Sequence, residues 1–205
     1  MRVRDLDEQR RATCSRKTNE TEVEVTIAVD GSGQAEVSTG IGMLDHLLNG
    51  FARHGCFDLW VRAAGDLHVD AHHTVEDVAI ALGRALNEAL GEKRGLVRMG
   101  SAYAPLDEAL ALAVVDLSGR GHAEVDLPLQ GQDLGGLPGD LVRHFAETMA
   151  LEGRFTLHLR LLAGLNGHHC AEAAFKALGR ALDAASRLDP RLGGAIPSTK
   201  GTLTE

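Results

Sequence analysis

The chain is short of thiols, of positive charge and of long apolar runs. Cys14, Cys56 and Cys170 are the only cysteines among 205 residues, and no two form a C-x-x-C pair. So sparse and odd a set offers no disulfide framework and suits a reducing compartment. The formal net charge of -8 argues against a non-specific nucleic-acid binder. No 18-residue apolar stretch occurs, so no membrane-spanning helix is expected. The stretch from Met1 to Glu20 is charged and lacks an apolar centre, so it does not read as a secretory signal. A cytoplasmic protein is expected, and an organellar form is compatible if a transit peptide has been removed.

What is present fits a folded globular chain. Hydrophobic residues make up 44% of it, which excludes general disorder. The length allows one domain with a substantial core or two small fused units. Arginine far outnumbers lysine, so local arginine sites for a small anion are open to it.

One motif occurs twice. His72-His73-Thr74-Val75-Glu76 returns as His168-His169-Cys170-Ala171-Glu172, and both runs continue into Leu-Gly-Arg-Ala-Leu, at Leu82–Leu86 and Leu178–Leu182. The surrounding pattern repeats too. Thr21–Val29 alternates Val23, Val25, Ile27 and Val29 with polar residues, the period of a strand. A turn at Asp30–Gly33 leads to a second strand at Gln34–Ser38. Met43–His54 has helical spacing and a candidate stop at Gly55, Phe57–Ala63 is a short strand, and His72–Leu90 is a helix. In the second half the order is strand Ala109–Asp116, strand His122–Leu127, helix Asp140–Leu151, strand Arg154–Leu162 and helix His168–Leu188. His46 falls on His144, Gly55 on Gly153 and Phe57 on Phe155.

The pattern predicts an α/β (α+β) fold. Two strand–strand–helix–strand–helix repeats, about 20–95 and 106–192, pack into a single domain over 1–205 with the sheets flanking the helices. Neither half can bury both faces alone. Gly91–Pro105 reads as the link between them, and Gly131–Gly139 as a mobile loop.

Six of the ten histidines form matched pairs, His46 with His144, His72 with His168 and His73 with His169, and Glu76 matches Glu172. Eight ligands in two symmetric sets suggest two ions, each with three imidazoles and a carboxylate. Adjacent residues diverge by about 100° on a helix, so His72 and His73 are placed to serve different ions. Glu76 falls between them in angle, and spacing leaves open which ion it joins. Both motifs sit in a first helical turn, where the dipole favours neutral imidazole over imidazolium. Nitrogen and oxygen donors without thiolate fit Mn, Fe, Co or Zn. Cys170 has Thr74 as its counterpart and reads as a small core residue, while His122 and His158 on strands read as structural.

These residues sit inside longer motifs that together resemble the imidazoleglycerol-phosphate dehydratase family over nearly the whole chain. They are R-x-T-x-E-T-x-V at Arg16–Val23, L-D-H at Leu44–His46, D-A-H-H-T-V-E-D at Asp70–Asp77, and P-L-D-E-A-L at Pro105–Leu110. The series continues with D-L-S-G-R at Asp116–Arg120, H-F at His144–Phe145, N-G-H-H-C-A-E-A-A-F-K at Asn166–Lys176, and P-S-T-K-G at Pro197–Gly201. Met99 and Ala146 depart from the common pattern and read as packing substitutions. No D-x-D phosphatase segment is present, so a stand-alone form is expected.

The resemblance implies a ribosomal-protein-S5-domain-2-like fold and two Mn²⁺ per active site. The ions would be held by His46, His72, His73, Glu76, His144, His168, His169 and Glu172. It also implies an assembly of 24 subunits with sites completed by neighbouring chains, acting on a small-molecule phosphate, with neither nucleic acid nor membrane as partner. The implied reaction removes water from D-erythro-imidazoleglycerol phosphate to give imidazole acetol phosphate, in histidine biosynthesis. The proton lost has no adjacent carbonyl, so the ring must carry the electrons, through an imidazolate and a diazafulvene-like intermediate between the two manganese ions.

Glu20 is the leading acid–base candidate, and Glu76 and Glu172 are candidates to act as ligand and base together. Arg98, Arg120, Ser198 and Lys200 are the candidate phosphate donors, and His54 is a candidate substrate contact. The tail 193–205 is expected to close over the ligand. The alternatives are a non-catalytic metal-binding assembly protein and a metal-dependent phosphate-ester hydrolase.

Overall fold

A computed structural model describes residues 10–203. The first nine residues of the charged N-terminal stretch and the last two of the 193–205 tail lie outside them. The chain runs β1 (Arg11–Lys17), β2 (Thr21–Ala28), β3 (Ala35–Ser38), α1 (Gly42–Gly55), β4 (Asp58–Gly65) and α2 (His72–Leu90). It then repeats as β5 (Met99–Leu106), β6 (Ala109–Asp116), β7 (His122–Asp126), α3 (Gly139–Glu152), β8 (Thr156–Ala163) and α4 (Gly167–Ser186). The two four-stranded sheets have matching orders, β1-β2-β4-β3 and β5-β6-β8-β7. In each, the third strand pairs parallel with the fourth, and the other pairings are antiparallel.

The α/β architecture of two repeats with sheets outside and helices inside is the one the pattern predicts. Each repeat carries one strand more than the pattern suggested, because β1 and β5 open them. Met99–Leu106 therefore belongs to the second sheet rather than to a linker, and the repeats begin earlier than 20 and 106. Both strands lie at sheet edges, where one partner and one half-buried face suffice. Pro105 fits such an edge, since a missing N–H costs nothing on the unpaired side. Gly100 marks where β5 crosses α4, for a Cβ there would collide with the Ala181 carbonyl.

The helices pair across the duplication. α1 packs on α4 and α2 on α3, while α2 covers β1 and β2 and α4 covers β5 and β6. One apolar core runs through both halves. The repeated Leu-Gly-Arg-Ala-Leu segment is the contact point. A Cβ on Gly83 would lie 2.7 Å from the Met149 carbonyl oxygen of α3, and one on Gly179 would lie 2.5 Å from the Phe51 carbonyl oxygen of α1. The arginine that follows bridges the same crossing in one half, where Arg84 donates to Glu152 at 2.7 Å. The counterpart of Glu152 is His54, which faces Arg180.

Gly55 is not the residue that stops α1. Cys56 takes the left-handed conformation instead, and Gly55 stands against the Gly179 carbonyl. α4 ends at Ser186 rather than Leu188, because Arg187 is extended and its carbonyl accepts from Val97. Ala146 is fully buried, a packing substitution, whereas Met99 is 58% exposed and packs on nothing in its own chain that would bury it.

Candidate metal and substrate site

Two clusters form where the helices cross. His46 of α1 meets His168 and Glu172 of α4: the His46 Nε2 and His168 Nε2 atoms lie 2.9 and 3.3 Å from the same Glu172 oxygen. His144 of α3 meets His72 and Glu76 of α2, with His144 Nε2 3.6 Å from Glu76 Oε1. The rings pair alike, with centroids 5.2 Å apart for His46–His168 and 4.9 Å for His72–His144. Each cluster therefore takes one histidine from one repeat and a histidine and a glutamate from the other. In each, one ligand atom per residue falls within 4.8 Å of the rest.

Several features suit a cation at these points. The His144 Nε2 atom is buried and has no hydrogen-bond partner among the described residues, although it faces a carboxylate and an imidazole. A buried nitrogen lone pair left without a donor is costly, and a metal ion satisfies it. At the other cluster, burial works to raise the Glu172 carboxyl, but hydrogen bonds from Lys176 and His46 outweigh it and hold it down at about 2. Lys176 Nζ lies 2.6 Å from Glu172, so Glu172 is an anion at neutral pH. His, His and Glu donors match the borderline ions expected.

His73 and His169 do not join these clusters. His73 Nδ1 donates to Asp66 at 3.0 Å, with Glu20 3.8 Å away. His169 Nδ1 donates to Glu108 at 2.8 Å. The Asp66 bond raises the His73 ring above its usual value, and the Glu108 bond does the same for His169. The divergence of neighbours on a helix separates His73 from His72 and His169 from His168, as the 100° spacing requires.

The α4 motif is fixed at its start by Asn166, which accepts from the His168 and His169 amides, and the α2 motif by Asp70, which accepts from the His72 amide. The R-x-T-x-E-T motif has a packing part as well. Arg16 donates to the buried Asp77 at 2.6 Å, and the Thr21 hydroxyl donates to its other oxygen. That clamp seats the β1–β2 turn on α2 and brings Glu20 to His73.

The candidate phosphate donors gather at the other end of the molecule. Arg98 donates to Asp116 through Nε and Nη2, at 2.7 and 3.0 Å, and to the Pro197 carbonyl through Nη1 at 2.7 Å. Ser198 accepts from the Lys200 amide, and exposed Arg120 follows in the turn after β6. Arg98 also donates its amide to the Ala185 carbonyl near the end of α4. Seventeen helical residues separate Ala185 from His168, about 25 Å, so within one chain Arg98 is out of reach of a small ligand held at His168.

His54 sits two turns beyond His46. Burial lowers its ring, and Lys176 and Arg180 add to that. His68 is exposed in the loop before α2, and His122 and His158 are exposed on their strands rather than built into the core. Cys170 is buried, as expected of a small core residue. Gly121, beside Arg120, is required by packing, since a Cβ would lie 2.5 Å from the Leu151 carbonyl.

Asp66, Glu108 and Lys176 are site residues that the sequence pattern does not single out. Lys176 has only its i,i+4 spacing from Glu172 as a signal. The other two lie on turns with no periodicity. The glycine-rich segment 131–139 carries ordered turns and two buried leucines, Leu134 and Leu137. It borders a cavity of about 580 Å³ with His46 and His168 on its far wall.

Comparison with known proteins identifies the family. Residues 39–182 match the sequence model of imidazoleglycerol-phosphate dehydratase. The chain is 58% identical over 194 residues to the imidazoleglycerol-phosphate dehydratase of a Roseiflexus species, covering 95% of this chain and 98% of that protein. It is also 58% identical over 194 residues to that of Chloroflexus aurantiacus, covering 95% of each. Among solved structures it resembles imidazoleglycerol-phosphate dehydratase from Staphylococcus aureus, with a TM-score of 0.77 and 34% identity over 86% of this chain and 99% of the other. IGPD from Pyrococcus furiosus matches with a TM-score of 0.79 and 37% identity over 92% and 99%. No described helix is long and apolar enough to cross a membrane. The chain belongs to the imidazoleglycerol-phosphate dehydratase family and is an enzyme of the hydro-lyase class.

Proposed function

We propose that this enzyme converts D-erythro-imidazoleglycerol phosphate to imidazole acetol phosphate and water, in the cytoplasm, as a step of histidine biosynthesis. The observation that carries the reading is the pair of crosswise His-His-Glu clusters, one at each contact between repeats. The two donor sets, each of two imidazoles and a carboxylate, would suit two divalent ions acting on a substrate imidazole. When bound, two divalent ions, Mn²⁺ by the resemblance, would supply Lewis acidity to the ring and orient the side chain. His46, His168 and Glu172 would hold one, His72, Glu76 and His144 the other, and the outlying His73 and His169 would each complete a cluster of a neighbouring chain.

The remaining work falls to this chain's own groups. The hydroxyl leaves from the carbon attached to the ring, and the proton leaves from the next carbon. The ring passes through a diazafulvene-like state and recovers its aromaticity as the enol forms. Glu20, exposed beside His73, is the group proposed to move that proton, with Glu76 and Glu172 as further carboxylates in reach of the ring. Arg98, Arg120, Ser198 and Lys200 hold the phosphate, and His54 faces the glycerol chain. The roughly 25 Å between His168 and the Ala185 carbonyl that Arg98 holds in the same chain supports sites shared between subunits, in an assembly that the resemblance puts at 24 chains.

The test is turnover. Chelator-stripped, assembled protein is given imidazoleglycerol phosphate with and without Mn²⁺, and the ketone product is followed in the ultraviolet. Activity that returns with Mn²⁺ is expected. A folded, assembled and metal-loaded protein that turns over none of this substrate would overturn the proposal.

A further inference from the structure

The two hairpins that open the repeats end on matching carboxylates. Glu20 immediately precedes β2, and Glu108 immediately precedes β6. In the second repeat Glu108 is fully engaged. Its Oε2 accepts from His169 Nδ1 at 2.8 Å, and its Oε1 accepts from the Asn166 and Leu165 amides at 2.9 and 3.3 Å. In the first repeat the equivalent carboxylate has let go. Glu20 stands 3.8 Å from His73 Nδ1, its side chain is 56% exposed, and it accepts no side-chain hydrogen bond among the described residues.

Asp66 has taken its place, accepting from His73 Nδ1 at 3.0 and 3.2 Å. Asp66 directly follows β4, and the residue directly following β8 is Gly164. That position cannot carry a carboxylate in the second repeat. Its φ is +146°, and a Cβ there would lie 2.5 Å from Cys170 Sγ. The same task, holding the second histidine of the His-His pair, is thus done by different residues in the two halves.

The purpose of the hold follows from imidazole chemistry. A carboxylate accepts, so Nδ1 carries the proton and Nε2 keeps its lone pair, pointing away from the carboxylate. We propose that Asp66 and Glu108 are positioning residues that set the tautomer and ring direction of His73 and His169 as outward-facing ligands. On this reading Asp66 stands in for Glu20, whose carboxylate is left without a hydrogen bond among the described residues at the edge of the site. The inference rests on the metal-site reading above. It explains why two duplicated carboxylates diverged: one remains a fastening for a histidine and the other is released from that task.

The test reads metal affinity rather than turnover. Assembled, stripped protein is titrated with Mn²⁺ against a competing chelator. Asp66→Ala and Glu108→Ala are expected to weaken binding about 10- to 100-fold. Asp66→Asn and Glu108→Gln should fall between alanine and the native residue, since an amide oxygen still accepts from Nδ1. Glu20→Gln is expected to leave affinity within about threefold, because its carboxylate stands 3.8 Å from His73 Nδ1, beyond hydrogen-bond distance. The amide variants keep size and shape, and sedimentation velocity checks that each protein stays assembled. Native affinity in both alanine variants would overturn the inference, as would a loss in Glu20→Gln equal to that in Asp66→Ala. Native protein that binds Mn²⁺ tightly without turning over substrate would sink the dehydratase proposal and leave this inference standing.

Discussion

Replacing Gly179 by alanine should destabilise the protein, against the usual effect of that change. In an open helix position glycine to alanine stabilises by about 0.5–1 kcal/mol, because the unfolded chain loses freedom. At Gly179 the new Cβ would lie 2.5 Å from the Phe51 carbonyl oxygen, 3.2 Å from the Gly55 nitrogen and 3.3 Å from the Phe51 carbonyl carbon. All three are backbone atoms of the facing helix, so no side chain can rotate aside. Overpacking of a well-filled core costs about 1–3 kcal/mol, and a rigid obstacle places this site at the upper end. The net loss is about 2 kcal/mol, and for a domain of this size that lowers the Tm by roughly 4–8 °C.

Gly83→Ala should behave alike, since its Cβ would lie 2.7 Å from the Met149 carbonyl oxygen. Gly50 is the control. It too lies inside α1, but nothing stands within 4 Å of its Cβ, so Gly50→Ala should raise the Tm by about 1–4 °C. Differential scanning calorimetry at one protein concentration, with Mn²⁺ at saturation and again after chelation, measures all three. The Gly179 change should also spread α1 from α4 and so part His46 from Glu172, enlarging the loss in the metal-loaded form. The reasoning fails if Gly179→Ala and Gly50→Ala shift the Tm in the same direction.

Lys93 is 2% exposed, and burial pushes its ammonium down from 10.5 to about 8, with Arg154 adding to the effect and Asp116 opposing it. Between about pH 8 and 10.5 the unfolded chain binds more protons than the folded one, so stability should rise with pH through that window. Below pH 8 the full cost is present, about 3 kcal/mol by the drop in pKa. Lys93→Met should flatten the rise and be more stable at neutral pH; an unchanged slope in thermal unfolding between pH 7.5 and 9.5 would contradict this. Arg98→Lys should raise KM for the phosphate substrate at least tenfold while kcat changes less, because lysine cannot span Asp116 and the Pro197 carbonyl together. The tail should then be cut faster in limited proteolysis, and an unaltered KM would remove Arg98 from the phosphate site.

Local pattern carried much of the fold. α2 runs from His72 to Leu90 and β6 from Ala109 to Asp116, the limits that their periods predict. β1 and β5 carry a weak strand signal because their inward positions are few and small. Ala12 in one and Ala104 in the other are the buried residues, and Gly100 and Pro105 break the look of a strand. The turn after α1 is not legible in the sequence, because Gly55 serves the contact with α4 and Cys56 turns the chain.

Sequence by itself determined the kinds of element, the duplication, the identity of the histidines and glutamates, and the separation of His72 from His73. All of these follow from periods of two and 3.6 residues and from residue chemistry, which are local. Only the tertiary structure decided which groups meet. His46 finds Glu172, 126 residues away, because Gly179 lets α4 touch α1. His169 meets Glu108 across 61 residues of chain and His73 meets Asp66, and Arg98 is carried to the far end of α4. Such meetings depend on how whole helices and sheets pack, and no local period encodes them.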